Sequence, residues 1–272
     1  MRIDTSTVAV VTGGSSGIGL GLAEELGSRG ARIVVADIRE DSLAPAVAGL
    51  RATGIDAIGV RVDVTDRADV ERLAVRAVAE FGSVDLLCGN AGVVPPAAPL
   101  WEQTEETWRR LIDVKILGVV HGVAVFAPRF LEQGRGHFLI TASSGGLAPL
   151  PGRTPYTTTM HAVVGLTETL DLELREHGPA FGATVLCPGL VDTPLGQNSA
   201  ALGVLPPSRG PAPSIRSVGD ALSPREVAAA AVNALEAGRV HVAPGAGVLD
   251  RARLRIQSLL EDLDPVHLAD HS

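Results

Sequence analysis

Seven short apolar runs punctuate the chain, at residues 8–11, 32–36, 57–62, 84–88, 137–141, 183–187 and 240–243. They are rich in β-branched residues and nearly unbroken by polar ones. Strands apolar on both faces belong to a sheet that is covered on both sides. The gaps between them, at 17–28, 41–52, 68–81, 105–131, 156–176 and 224–236, carry apolar residues at helical spacing. Strands alternating with helices of this length predict repeated βαβ units, a parallel sheet and an α/β class. No repeat or linker divides the 272 residues, so one domain over 1–272 is expected.

Two stretches fall outside the alternation. Residues 194–223 are rich in Pro, Gly, Ser and Ala, and Pro206, Pro207, Pro211 and Pro213 oppose a regular helix. A long insertion of this kind reads either as a lid over a site or as a disordered segment. The tail, 248–272, has helical periodicity up to residue 263 and is expected to pack on the body or on a neighbouring subunit.

Charge narrows the list of partners. The net charge of −8 argues against nucleic acid and against an anionic membrane surface. No run of about 18 uncharged apolar residues is present, so no membrane span is expected. Met1-Arg2-Ile3-Asp4 leads into a strand-like run without a signal-like apolar segment, which makes the cytoplasm the expected compartment. Cys88 and Cys187 lie in apolar runs and read as buried thiols, and the scattered histidines suggest no metal site.

Candidate chemistry begins after the first run. Thr12-Gly13-Gly14-Ser15-Ser16-Gly17-Ile18-Gly19 follows a strand and opens a helix. Glycines there let the backbone turn tightly and approach a pyrophosphate, and the helix N-terminus offers free amides and a positive dipole end. Asp37 ends the second run, where a carboxylate accepts hydrogen bonds from a ribose 2′-hydroxyl and repels a 2′-phosphate. NAD is therefore expected over NADP, although Arg39 nearby softens the discrimination. The sole lysine, Lys115, stands out in a chain whose other basic residues are all arginine.

With these motifs in order, residues 5–245 resemble the short-chain dehydrogenase/reductase family. Thr12 to Gly19 matches its TGxxxGIG loop, and Asp63-Val64 its adenine-contacting pair. Asn90-Ala91-Gly92 matches the NAG motif that supports the sheet beside the cofactor. Pro188-Gly189, with Val191 and Thr193, matches the PG motif whose following residues hold the nicotinamide amide. The resemblance implies a single doubly wound Rossmann-like domain with a mostly parallel seven-stranded sheet flanked by helices. It implies hydride transfer between a nicotinamide cofactor and a secondary alcohol or ketone. It also implies a homo-oligomer, a tetramer or dimer, with the helices of Lys115 and Tyr156 at an interface.

The family's catalytic set is Asn, Ser, Tyr and Lys, and here it is half altered. Ser143 and Tyr156 match, with Ser144 a neighbour easily mistaken for the former. The lysine of YxxxK is Met160, while Lys115 stands at the asparagine position in Asp113-Val114-Lys115-Ile116-Leu117-Gly118. Methionine supplies no charge. The paired changes suggest a relocated ammonium, with Lys115 serving Tyr156 from the neighbouring helix. Two rivals are a damaged relay in a cofactor-binding protein and a non-redox reaction such as dehydration, isomerisation or cyclisation. The resemblance implies cavity walls from the segment after Ser143 (145–150), from 93–99, and from Leu195, Leu202, Val204 and Leu205, which suit a small, largely apolar substrate. Trp101 and Trp108 read as packing anchors.

Overall fold

The computed structural model describes residues 1–205 and 220–264. Its centre is a sheet of β1 (Val8–Thr12), β2 (Arg32–Asp37), β3 (Ala57–Arg61), β4 (Leu86–Gly89), β5 (Gly136–Thr141), β6 (Phe181–Leu186) and β7 (His241–Val242). The order is β3-β2-β1-β4-β5-β6-β7, and every neighbouring pair is parallel. The strand order reverses between β1 and β4. Their carboxyl ends therefore feed connections to opposite sides, and a crevice opens there.

Alternate residues of each strand face opposite layers. Val8 and Val10 of β1 join a core with Phe126, Phe130 and Phe138, whereas Ala9 and Val11 join one with Leu22, Leu26 and Leu235. The helices are α1 (Gly17–Ser28), α2 (Glu40–Ala52), α3 (Arg67–Phe81), α4 (Glu105–Leu111), α5 (Gly118–Gln133), α6 (Thr154–Glu176), α7 (Leu195–Ala201), α8 (Pro224–Glu236) and α9 (Val248–Leu263). Asp85, just before β4, is buried and tied to both the Val8 amide and Arg135, which fastens β1 to β5.

Three expectations need correction. The helix expected over 105–131 is interrupted: a π-helical segment, Ile112–Leu117, joins α4 to α5 and carries Lys115. Such bulges insert one residue into the turn, which apolar periodicity does not register. Within 194–223, where no regular helix was expected, α7 forms ahead of the prolines. Residues 206–219 of that segment and 265–272 of the tail lie outside the described residues. Trp101 is not a packing anchor: it is 84% exposed, on a 3₁₀ turn outside the core, and Trp108 is half-buried. The span Glu105–Gln133 is long and apolar enough, by length and composition, to cross a membrane. Here it flanks the sheet, packed against α3, α6 and β4.

Candidate active site

The crevice at the carboxyl ends of the strands is a cavity of about 550 Å³. Its floor begins at the phosphate loop. Gly13 and Gly17 adopt φ of +61° and +52°, a left-handed backbone that favours glycine. A Cβ on Gly13 would stand 3.0 Å from Ala91 Cα, and one on Gly17 would meet Thr193 at 3.2 Å. Ser16, Gly17 and Ile18 line the cavity where α1 starts. Gly19 does not; a Cβ there would overlap the Gly13 carbonyl, so its role is close packing. Ser15 also turns away from the cavity, donating from its amide and its hydroxyl (2.6 Å) to Asp37 Oδ2.

Asp37 lines the cavity at the end of β2, with Oδ1 accepting the Arg39 amide at 3.1 Å. Asp63 and Val64 line it beyond β3, and Asp63 is steadied by Thr65. Asn90 knits β4 to the loop: its side chain donates to the carbonyls of Thr12 and Gly13, and its amide donates to Thr12 Oγ1. Ala91, Gly92, Pro188, Gly189, Val191 and Thr193 complete the wall. A cavity edged by glycines that leave no room for side chains, with a carboxylate at the β2 end and free amides at the start of α1, fits a dinucleotide.

Lys115, Ser143 and Tyr156 all line this one cavity. Lys115 is only 4% exposed, and its ammonium donates to the carbonyls of Thr141 (3.1 Å) and Ala91 (3.3 Å). Burial pulls its pKa from the ordinary lysine value down to about 8. A Cβ on Gly92 would lie 2.9 Å from Nζ, so glycine leaves the amine its seat. Tyr156 sits in the first turn of α6. Burial raises its pKa, while a hydrogen bond with the Ser143 side chain and the Arg153 guanidinium pull it back down. Ser143 caps the 3₁₀ turn Ser144–Gly146 and faces the cavity, whereas Ser144 turns away and accepts from Arg251 of α9 at 3.0 Å.

Met160 is fully buried in the core beneath Gly146, off the cavity wall. The expected wall at 145–150 is also absent from the cavity: Gly145 and Gly146 pack on Leu150 and α6. Residues 93–97, Leu195, Leu202 and Leu205 do line it, whereas Val204 does not. Lining residues missed in the sequence include Arg110, Arg153, Leu190 and Asn198. Arg153 is the N-cap residue of α6, just ahead of the helix that carries Tyr156, and no helical spacing signals its place.

Residues 7–201 match the family model described as short chain dehydrogenase. The chain belongs to the short-chain dehydrogenase family. A 1-deoxy-11-beta-hydroxypentalenate dehydrogenase of Streptomyces avermitilis is 41% identical over 197 residues, 72% of each chain. A 3beta-hydroxysteroid dehydrogenase 2 of Eggerthella lenta is 36% identical over 227 residues, 82% of this chain and 85% of its own. The crystal structure of a short-chain dehydrogenase/reductase from Burkholderia phymatum in complex with NAD superposes with a TM-score of 0.86. It is 35% identical and covers 97% of this chain and 98% of its own. The chain is thus an NAD(P)-dependent oxidoreductase acting on a small molecule, with the expected Rossmann-like fold.

Proposed function

We propose that the protein transfers a hydride between NAD and a secondary alcohol or ketone of a small, largely apolar substrate. Tyr156 is the acid and base, Ser143 orients the carbonyl, and Lys115 supplies the ammonium that Met160 lacks. The observation that carries this reading is the shared cavity: the sole lysine is buried and lines the same cavity as the family's serine and tyrosine.

When bound, the nicotinamide supplies or accepts the hydride. Ser16, Gly17 and Ile18 would hold the pyrophosphate, Asp37 a ribose, Asp63 and Val64 the adenine, and Asn90 to Gly92 the neighbouring wall. Pro188, Gly189, Val191 and Thr193 would hold the nicotinamide amide. Asp37 favours NAD, because a 2′-phosphate would bring charge against its carboxylate.

In reduction the Tyr156 hydroxyl gives its proton to the substrate oxygen, to which the Ser143 hydroxyl also donates. In oxidation Tyr156 takes the proton back. Either direction passes through phenolate character, which burial opposes and a nearby cation favours. An ammonium has three N–H donors. Two of those on Lys115 go to carbonyls, which leaves one for the cavity. The exposed side chains of Ile112, Leu117 and Val120 on the helix of Lys115, with Leu172 on α6, support a homo-oligomer through these helices.

The test is kinetic. Incubated with NAD and a panel of secondary alcohols, the protein should form NADH. Lys115→Met should lower kcat by roughly two orders of magnitude or more, within the range of acid–base assistance. Turnover close to wild type in that variant would remove the relocated ammonium. NAD binding without turnover in the wild type would favour the damaged-relay reading.

A further inference from the structure

Two guanidiniums, those of Arg110 and Arg153, line the cavity outside the motifs assigned to the cofactor. Arg110 closes α4, half-buried, and lines the cavity without a hydrogen bond or ion pair to any described residue. Its neighbour Arg109 is exposed and paired with Glu105, as a surface arginine in an acidic chain is expected to be. Arg153 anchors itself through Nη1 to the Pro95 carbonyl at 2.6 Å, and its other N–H donors make no hydrogen bond to a described residue. The carboxylates lining the cavity, Asp37 and Asp63, both belong to the nucleotide end. Val94, Pro96, Val114, Leu202 and Leu205 give the same cavity apolar lining.

An apolar molecule filling this space would strip water from both guanidiniums. Desolvating a cation without a partner opposes binding strongly. The cavity therefore suits a ligand that brings its own anion, and the planar fork of arginine matches a carboxylate. Arg110, at the end of α4, and Lys115, in the π-helical segment that follows, both line the cavity.

We propose that Arg110 and Arg153 form a carboxylate-binding pair, and that the substrate is an apolar alcohol or ketone that also carries a carboxylate. This rests on the oxidoreductase reading above, and deepens it.

The experiment is a calorimetric titration. The protein is first saturated with NADH, and absence of that binding step would count against the oxidoreductase reading itself. Octanoate and octan-1-ol are then titrated separately into the binary complex. Octanoate should bind at least about tenfold more tightly than octan-1-ol, the difference one charge-assisted contact makes. Arg110→Met should erase that preference while leaving NADH affinity unchanged, which shows the variant is folded; Arg153→Met should also weaken octanoate. Equal affinities, no octanoate binding, or a preference that survives Arg110→Met overturns the proposal.

Discussion

A buried ammonium is stable only while its solvation is replaced, and two backbone carbonyls replace it incompletely for Lys115. Its folded pKa is about 8, against 10.5 ordinarily. Between those values the unfolded chain keeps a proton that the folded chain has released, so this residue makes stability rise with pH through that window. Below it the destabilisation is present in full, on the order of 3 kcal/mol at about 1.4 kcal/mol per unit. The difference in unfolding free energy between wild type and Lys115→Met should therefore shift in favour of wild type from pH 8 to 10.5, as read by denaturant titration. A difference flat in pH would show that the amine is not desolvated. That position 115 holds the chain's sole lysine and position 160 a methionine was legible in the sequence. The seat was not, because Ala91 lies after β4 and Thr141 ends β5, and the two meet only when those strands pair.

Elements in this chain are set by local signals wherever those signals are strong. Ser223 and Glu226 form a reciprocal cap at the start of α8, with Pro224 in the first helical position. That helix lies against α1 so closely that a Cβ on Gly21 would meet the Pro224 carbonyl at 2.7 Å. Ser223→Ala should lower stability by about 1 kcal/mol, measured as a shift in the urea midpoint with an unchanged slope. Asp66 caps α3 by a one-sided bond, its side chain accepting the Ala68 amide. Strand limits were legible to within a residue or two because apolar runs and turn residues agree. The π-helical segment was not, since its extra residue changes hydrogen-bond register without changing composition.

At the scale of the whole molecule, α7 is a clasp across three separate parts of the chain. Asn198 donates to Ser16 Oγ in the phosphate loop at 3.0 Å and accepts from Arg39 after β2, while Ser199 receives the Val94 amide at 3.0 Å. Asn198→Ala should cut two of these ties. Amide hydrogen exchange over Leu195–Ala201 should accelerate, and NAD should bind roughly threefold to tenfold more weakly, the loss of about one net hydrogen bond. Unchanged exchange would mean that Ser199 and packing hold α7 without it.

Periodicity and turn chemistry alone determined the α/β class, the seven strands, most helix limits and the phosphate loop, because each rests on neighbours in sequence. Tertiary structure decided the rest: that Met160 joins the core, that Lys115 sits on two carbonyls, and that Arg110 and Arg153 both line the cavity. These depend on distances between segments far apart in the chain, and spacing along one segment carries no record of them.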